Sequence, residues 1–421
     1  MAVDDEVDYI SDLPPVIVES ILTRLPIRDA VRTSTLSSKW RYRWATMPHL
    51  VFDDRCIGDC HDKALIAPSL VNFVTRALFL HQGPIHKFHL STVHLQCSAD
   101  VDQWLLFLSR TELRELILQL GEEEWFRVPS CLFNSPRLAR LELHRCEFDP
   151  PINFKGFPFL RSLNLHQVLI ATEALESLIS CCPVLETLSL SYFDNLSLRI
   201  TAPNLKYLYM EGEFKDICLE NTPLLAALSV AMYMTDEIGE HLEQSSNCNF
   251  VKFLGALPRL EQLIGQIYFT KYLSLGYCTT IVPITYDHLK VVELHQVSFE
   301  DTHEIRVVLQ LIVNSPILRE LYISASSNTL EAIIPRDLEF WDEECPTNCR
   351  LNQLQVVKIT DLSGVPHEME FVKFLLASSP AMEKMTITTS AYVLGGKLTM
   401  LVELVKFRRA SPQAEVLFIN D

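Results

Sequence analysis

Twelve segments of this chain repeat one pattern, Leu-x-x-Leu-x-Leu, with other aliphatics, Phe or Met allowed at the repeated positions. The series runs through Ile85/Phe88/Leu90, Leu113/Leu116/Leu118, Leu138/Leu141/Leu143, Leu160/Leu163/Leu165, Leu185/Leu188/Leu190, Leu205/Leu208/Met210 and Leu225/Leu228/Val230. After a degenerate member at Leu260/Leu263 it closes with Leu289/Val292/Leu294, Leu318/Leu321/Ile323, Leu354/Val357/Ile359 and Met382/Met385/Ile387. Successive starts lie 28, 25, 22, 25, 20, 20, 35, 29, 29, 36 and 28 residues apart. One such match means little in a leucine-rich chain, but a long series near the roughly 20–29-residue period of leucine-rich repeats implies a solenoid. Each unit can bury its apolar positions only against its neighbours, so the expected fold is α/β, with a parallel ladder of short strands backed by outer segments.

A proline shares this register. Pro136, Pro158, Pro183, Pro203, Pro223, Pro258, Pro316 and Pro380 each stand two residues before the first repeated position. Proline cannot continue a helix, so it marks where each outer segment stops. Residues 172–183 place Leu175, Leu178, Ile179 and Cys182 at helical spacing, and 304–315 and 371–379 behave alike. Between Leu185 and Leu225 the period falls to 20, too short for a full helix, so extended or 3₁₀ backing is expected there.

Residues between the repeated positions should point to the concave face, where Arg140, Glu142, Asn164, Tyr207, Tyr209, Glu293, Glu320 and Tyr322 are candidates for binding a target; Ile117 shares that register. The mixed surface suits a protein partner, with no basic cluster for a polyphosphate. Inserts near 231–257 and 325–350 exceed a normal repeat, the second carrying Asp337, Glu339, Trp341, Asp342, Glu343 and Glu344. They read equally as tolerated surface loops or as parts of a binding face, and Glu122–Trp125 is a smaller case.

Charge narrows the function. With 53 acidic against 36 basic residues the formal net charge is −17, the opposite of a protein built to wrap nucleic acid. Arg24, Arg28, Arg32, Lys39, Arg41 and Arg43 form a local basic run, read as the charged face of a helical module meeting water or an acidic partner. Asp4, Asp5, Glu6 and Asp8 stand where a secretory signal would be positive, and no 18-residue apolar run exists, so the nucleus and/or cytoplasm is the expected location. Cys56-x-x-x-Cys60-His61 and Cys345-x-x-x-Cys349 resemble metal spacings, but no second ligand pair follows either, and they read as reduced thiols with no metal or cofactor. No phosphate loop, nucleophile elbow or paired-His helix appears, so no enzymatic activity is expected.

Residues 11–44 lack the repeat. Asp12 can cap a first helix that carries Ile17, Ile21 and Leu25 on one face, widened by Val18 and Leu22. Pro26 can start a second with Ala30 and Val31, and Ser37 or Ser38 a third with Trp40 and Trp44. So small a module cannot bury this apolar surface alone; a partner or the solenoid must cover part of it. Asp12-Leu13-Pro14, Ile21-Leu22, Leu25-Pro26 and Leu36-Ser37-Ser38-Lys39-Trp40-Arg41 resemble the F-box motif, in particular that of plant F-box proteins. The end of the chain, from Leu354–Ile359 through Glu370–Leu376 and Ser379–Met385 to Phe407 and Ser411-Pro412, is similar to the FBD segment of plant F-box/FBD/LRR-repeat proteins.

The resemblance implies four parts: an F-box over 8–52, a helical linker or N-terminal cap over 53–84, a leucine-rich-repeat solenoid over 85–345, and FBD-like terminal repeats and cap over 346–421. It further implies a substrate-recognition subunit of a Skp–cullin–F-box ubiquitin ligase. Leu13, Pro14, Ile17, Ile21, Leu22, Leu25, Pro26 and Val31 would face a Skp-type adaptor and through it a cullin, with Trp40 and Trp44 completing that contact or locking the module to the solenoid. The alternatives are a small-molecule receptor on the same scaffold and a protein-binding scaffold outside ubiquitination.

Overall fold

Every side chain of the repeated pattern is buried, none more than 2% exposed. The computed structural model describes residues 10, 13–57, 63–95, 99–121, 125–233, 253–255, 257–275, 285–326, 340–341, 349–390 and 397–419. The chain divides into two compact units, Met1–Leu185 and Glu186–Asp421.

In the first unit, strands β1 (His49–Asp53), β2 (Lys87–Ser91), β3 (Glu115–Gln119), β5 (Arg140–His144) and β7 (Ser162–His166) pair in parallel in that order. A side pair, β4 (Phe126–Arg127) with β6 (Cys146–Glu147), backs the ladder. The register sets Leu116, Leu141 and Leu163 side by side, and Leu118, Leu143 and Leu165 likewise. Helices Lys63–Leu80, Ala99–Leu108 and Thr172–Ser180 link successive strands or follow the last. The ladder starts one strand earlier than the repeat suggests. Leu50 and Phe52 of β1 are buried opposite Phe88 and Leu90, although the preceding chain shows no repeat.

The second unit continues the same construction on its own strands: β8 (Thr187–Thr201), β9 (Tyr207–Glu220), β10 (Ala227–Tyr233), β11 (Gln262–Ile267), β12 (Val291–Val297), β13 (Glu320–Ala325), β14 (Val356–Leu362), β15 (Lys384–Thr389) and β16 (Glu415–Ile419), all parallel. Where the period drops to 20 the backing is extended: β8 and β9 run past their inner segments and stay paired as far as Thr201 and Glu220. Where it lengthens, helices Thr302–Val313, Pro366–Ser378 and Lys397–Lys406 return the chain.

The repeated prolines do more than end a segment. The N–H of Leu138, Leu160, Leu185, Leu205, Leu225, Leu260, Leu318 and Met382 each donates to the carbonyl three residues back, so every one of these prolines is the second residue of a β-turn. Its fixed φ is pre-set for that position. Tyr286–Leu289 and Leu351–Leu354 make the same turn without proline. Six of the strands are left through another shared device. Arg145, Gln167, Tyr192, Ile267, Gln296 and Asp361, four residues beyond the middle repeated position, take left-handed φ values of 50° to 63°.

The degenerate repeat has a packing reason. Gly265 stands where its neighbour in β12 has Leu294. A Cβ there would collide with the ring of Phe269 and lie 2.9 Å from Cδ2 of Leu294. Phe269, fully buried on helix Phe269–Ser274, occupies the volume a third leucine would fill. Gly265→Ala should therefore cost about 1–3 kcal/mol by overpacking. Part of that loss should return in Gly265→Ala/Phe269→Leu, as read by chemical denaturation of both variants.

Candidate functional site

Two surfaces among the described residues hold the candidate site residues. The first is the N-terminal module. Its helix, Pro15–Leu22, starts from Pro14 in extended conformation with Pro15 at the first turn. Pro14 holds the cap position expected of Asp12, which lies outside the described residues. Val18 and Leu22 turn inward and are buried together with Ile27, Ala30, Trp40, Trp44 and Met47. Val16 (75% exposed), Ile17 (46%) and Ile21 (38%) turn outward, and Leu36 and Tyr42 of the same module are exposed too. Pro14 and Pro26 are exposed, whereas Leu13, Leu25 and Val31 are half-buried.

Two expectations are corrected here. Leu22 does not face outward: at 1% exposure it is a core residue of the module, on the same side of the helix as Val18. The stretch with the two tryptophans is not an α-helix: Trp44 lies in a 3₁₀ segment, Arg43–Thr46, and Trp40 in the turn before it. The Ser34 hydroxyl ties this stretch across itself by donating to the Arg41 carbonyl at 2.8 Å. Trp40 and Trp44 are buried, which suits locking rather than partner contact: the segments Ile27–Arg32 and Arg43–Thr46 pack on each other, and the former also packs on β1.

The second surface is the strand face opposite the core. In the first unit its outward residues form a polar cluster. Arg140 and His144 contact the Glu142 carboxylate at 3.1 and 3.3 Å, Gln119 reaches it at 3.4 Å, and Lys87 pairs with Glu115 at 3.3 Å. The hydrogen bond with His144, with Arg140 behind it, draws the Glu142 carboxyl down to about 2 against the opposing effect of burial. Asn164 lies next to Glu142 in register. Ile117, expected to be presented to a partner, is buried instead, because it sits in register between His89 and Glu142 on its two flanking strands.

In the second unit the outward positions of β8 and β10 are small: Thr187, Ser189, Ala227 and Ser229. Tyr207 and Tyr209 of β9 stand between these two strands, and Gln262 and Ile264 of β11 flank β10 on its far side. The missing side-chain volume leaves a hollow of about 190 Å³ with an almost wholly apolar wall. Leu188, Leu208 and Leu228 also line it, and since their side chains belong to the core they contribute backbone.

Beside the hollow, the Tyr209 hydroxyl donates to one oxygen of Glu211 at 2.8 Å and the Tyr233 hydroxyl to the other at 2.7 Å. Burial first, and then the Glu211 carboxylate, push the Tyr209 phenol well above its ordinary range, so it stays a donor at neutral pH. Further along, Tyr322 donates to Glu320 at 2.8 Å, and Glu293 contacts His295 at 2.7 Å. Sequence reading singled out Tyr207 and Tyr209 but not Ala227, Ser229, Gln262, Ile264 or Glu211. The signal was their place at the same outward register positions, which becomes a hollow only once strands are paired.

The inserts fall largely outside the described residues, as do Cys60, His61, Glu122–Glu124 and Cys345. What is described of them is anchored. Trp341 is buried and its indole N–H donates to His367 at 2.9 Å, the Arg306 guanidinium lies 5.3 Å from the Phe340 ring centre, and that of Arg145 lies 5.6 Å from Trp125.

Comparison with known proteins matches three family models: the F-box domain over residues 10–51, the LRR repeats of "FBD-associated F-box protein At5g56370" over 101–323, and FBD over 342–387. The chain is 55% identical over 414 residues to the Arabidopsis thaliana F-box/FBD/LRR-repeat protein At1g13570, covering 98% of this chain and 99% of that one. It is 25% identical to the probable FBD-associated F-box protein At1g32375 of the same plant, covering 98% and 100%. Against F-box/FBD/LRR-repeat protein At3g26920, also from Arabidopsis thaliana, identity is 26%, covering 98% and 96%.

The two sides of the first helix make separable predictions. Leu22→Asp should expose the module to limited proteolysis and cost more than about 3 kcal/mol, because it buries an unpaired charge. Ile21→Asp, on the exposed side, should cost no more than about 1 kcal/mol and leave the cleavage pattern unchanged.

Proposed function

The chain belongs to the F-box/FBD/LRR-repeat family, and on that premise we propose that it is a substrate-recognition subunit of a Skp–cullin–F-box ubiquitin ligase. One observation carries the reading: Val16, Ile17 and Ile21 form an exposed apolar stripe on a helix whose other side is fixed in the core by Val18 and Leu22. Soluble proteins keep contiguous apolar surface exposed chiefly where a partner covers it. Pro14, Leu36 and Tyr42 of the same module are exposed as well. A Skp-type adaptor is the occupant the F-box implies, and the adaptor links the chain to a cullin.

The mechanism is positional. The module holds the adaptor and the outward strand face holds a target protein. Co-localisation raises the target's effective concentration at a ubiquitin-loaded enzyme carried elsewhere in the assembly. The chain's own contribution is binding and orientation, with no bond-making step assigned to its residues. The hollow of about 190 Å³ falls below the roughly 300–1,000 Å³ of drug-sized sites, so it suits a side chain better than a hormone-like ligand.

Co-purification of the full chain with a Skp-type adaptor tests the reading. Wild-type protein should bind, and Ile17→Asp/Ile21→Asp should weaken binding more than about tenfold, as for loss of a central apolar anchor, with an unchanged melting curve. Failure of wild type to bind, or equal binding by the double variant, contradicts it.

A further inference from the structure

We infer that the hollow over β10 is the anchor pocket for the target, and that it takes one apolar side chain from an extended, basic segment of the partner protein, with a Lys or Arg two residues from the anchor. The inference rests on the strand face being the target-binding part, as proposed above, and names the chemistry it selects.

The anchor follows from size and lining. About 190 Å³ of apolar space exceeds the roughly 150 Å³ cavity that accepts a benzene ring, so a Leu, Met or Phe side chain fits where a whole small ligand would not. The space exists because Ala227 and Ser229 are small between Tyr209 on one side and Ile264 on the other. Tyr207, 55% exposed, gives the pocket an aromatic wall.

The basic neighbour follows from charge. Among the described outward residues of the repeated segments from β8 to β13, the charged carboxylates are Glu211, Glu293 and Glu320, and no Lys or Arg stands among them. Of the cations on the adjoining rim, Lys206 and Lys290 are paired with Glu186 and Glu261 at 3.1 and 2.7 Å, and Arg319 stands at β13, two strands beyond the hollow. Glu211 is held in place by two phenols, yet each of its oxygens keeps acceptor capacity for a guanidinium or ammonium. It lies two positions along β9 from Tyr209, roughly 7 Å, which is also the distance between same-side residues of an extended peptide. The exposed Tyr207 ring offers a cation a second platform at the other end.

Selection of a random heptapeptide display library on the full chain tests this. Enriched peptides should share an apolar residue two positions from Lys or Arg. Their binding should fall more than about tenfold in Ser229→Trp, which plugs the hollow, and in Glu211→Gln, and should weaken as salt rises. Tyr207→Ala, at an exposed position, gives a second test of the pocket if Ser229→Trp fails to fold. Enrichment of acidic or anchorless peptides, no enrichment over a blank surface, or binding indifferent to these variants overturns the assignment. Adaptor co-purification on the same preparations separates the two ideas: if it persists while the peptides fail, the pocket falls and the ligase reading stands; if it fails, that reading falls by itself.

Discussion

Each repeated segment presents an apolar face that only the next segment can cover, and the rest of the structure answers to that dependence. A Leu side chain fully buried this way contributes about 1.5–3 kcal/mol, so the alternation of buried and outward positions holds strand by strand. A slip of one residue would turn every repeated Leu to water, which is why β8 and β9 keep one register over Thr187–Ser191 and Tyr207–Glu211 and shift only beyond the repeated segment. The β-turns before ten of the strands and the left-handed residues after six of them serve the same end: they fix where those strands enter and leave the ladder. The FBD segment obeys this rule too. Its matched residues hold β14, helix Pro366–Ser378 and part of β15, further rungs of the same construction rather than a separate fold.

A ladder fixed so firmly inside is free to vary outside, and the outward positions differ between the two units. In the first, Arg140, Glu142, His144 and Gln119 satisfy one another. In the second, Glu211 and Glu320 accept from phenols and Glu293 contacts a histidine, and Glu211 stands beside a hollow made by small residues. The N-terminal module shows the converse economy. It is too short to bury both sides of its first helix, so one side packs inward with the tryptophans and the other remains apolar and exposed.

Much of this was legible in the sequence, for a physical reason: burial in a repeat fold is periodic, so Leu138/Leu141/Leu143 and their counterparts announce both strand and face. The short backing between Leu185 and Leu225 could be foreseen from chain length alone. Strand β1 was hidden because one pair, Leu50 and Phe52, has no period before it. Leu22 was misplaced because Ile21 and Leu22 are adjacent and equally apolar, and only packing decides which one turns inward. The tryptophan stretch has a helical four-residue spacing, but a turn at Trp40 followed by a 3₁₀ segment at Trp44 buries both rings equally well. The hollow over β10 could not be read at all, since it depends on which small residue stands beside which tyrosine on the next strand.

The central claim is that the exposed apolar side of the N-terminal module is a docking surface separate from the strand ladder. Hydrogen–deuterium exchange of the full chain, with and without a Skp-type adaptor, tests it most directly. Protection gained on adding adaptor should be confined to the module, centred on Pro15–Leu22 and the stretch around Leu36–Tyr42, with the ladder strands unchanged. Protection spread over the ladder, or none in the module, would contradict it.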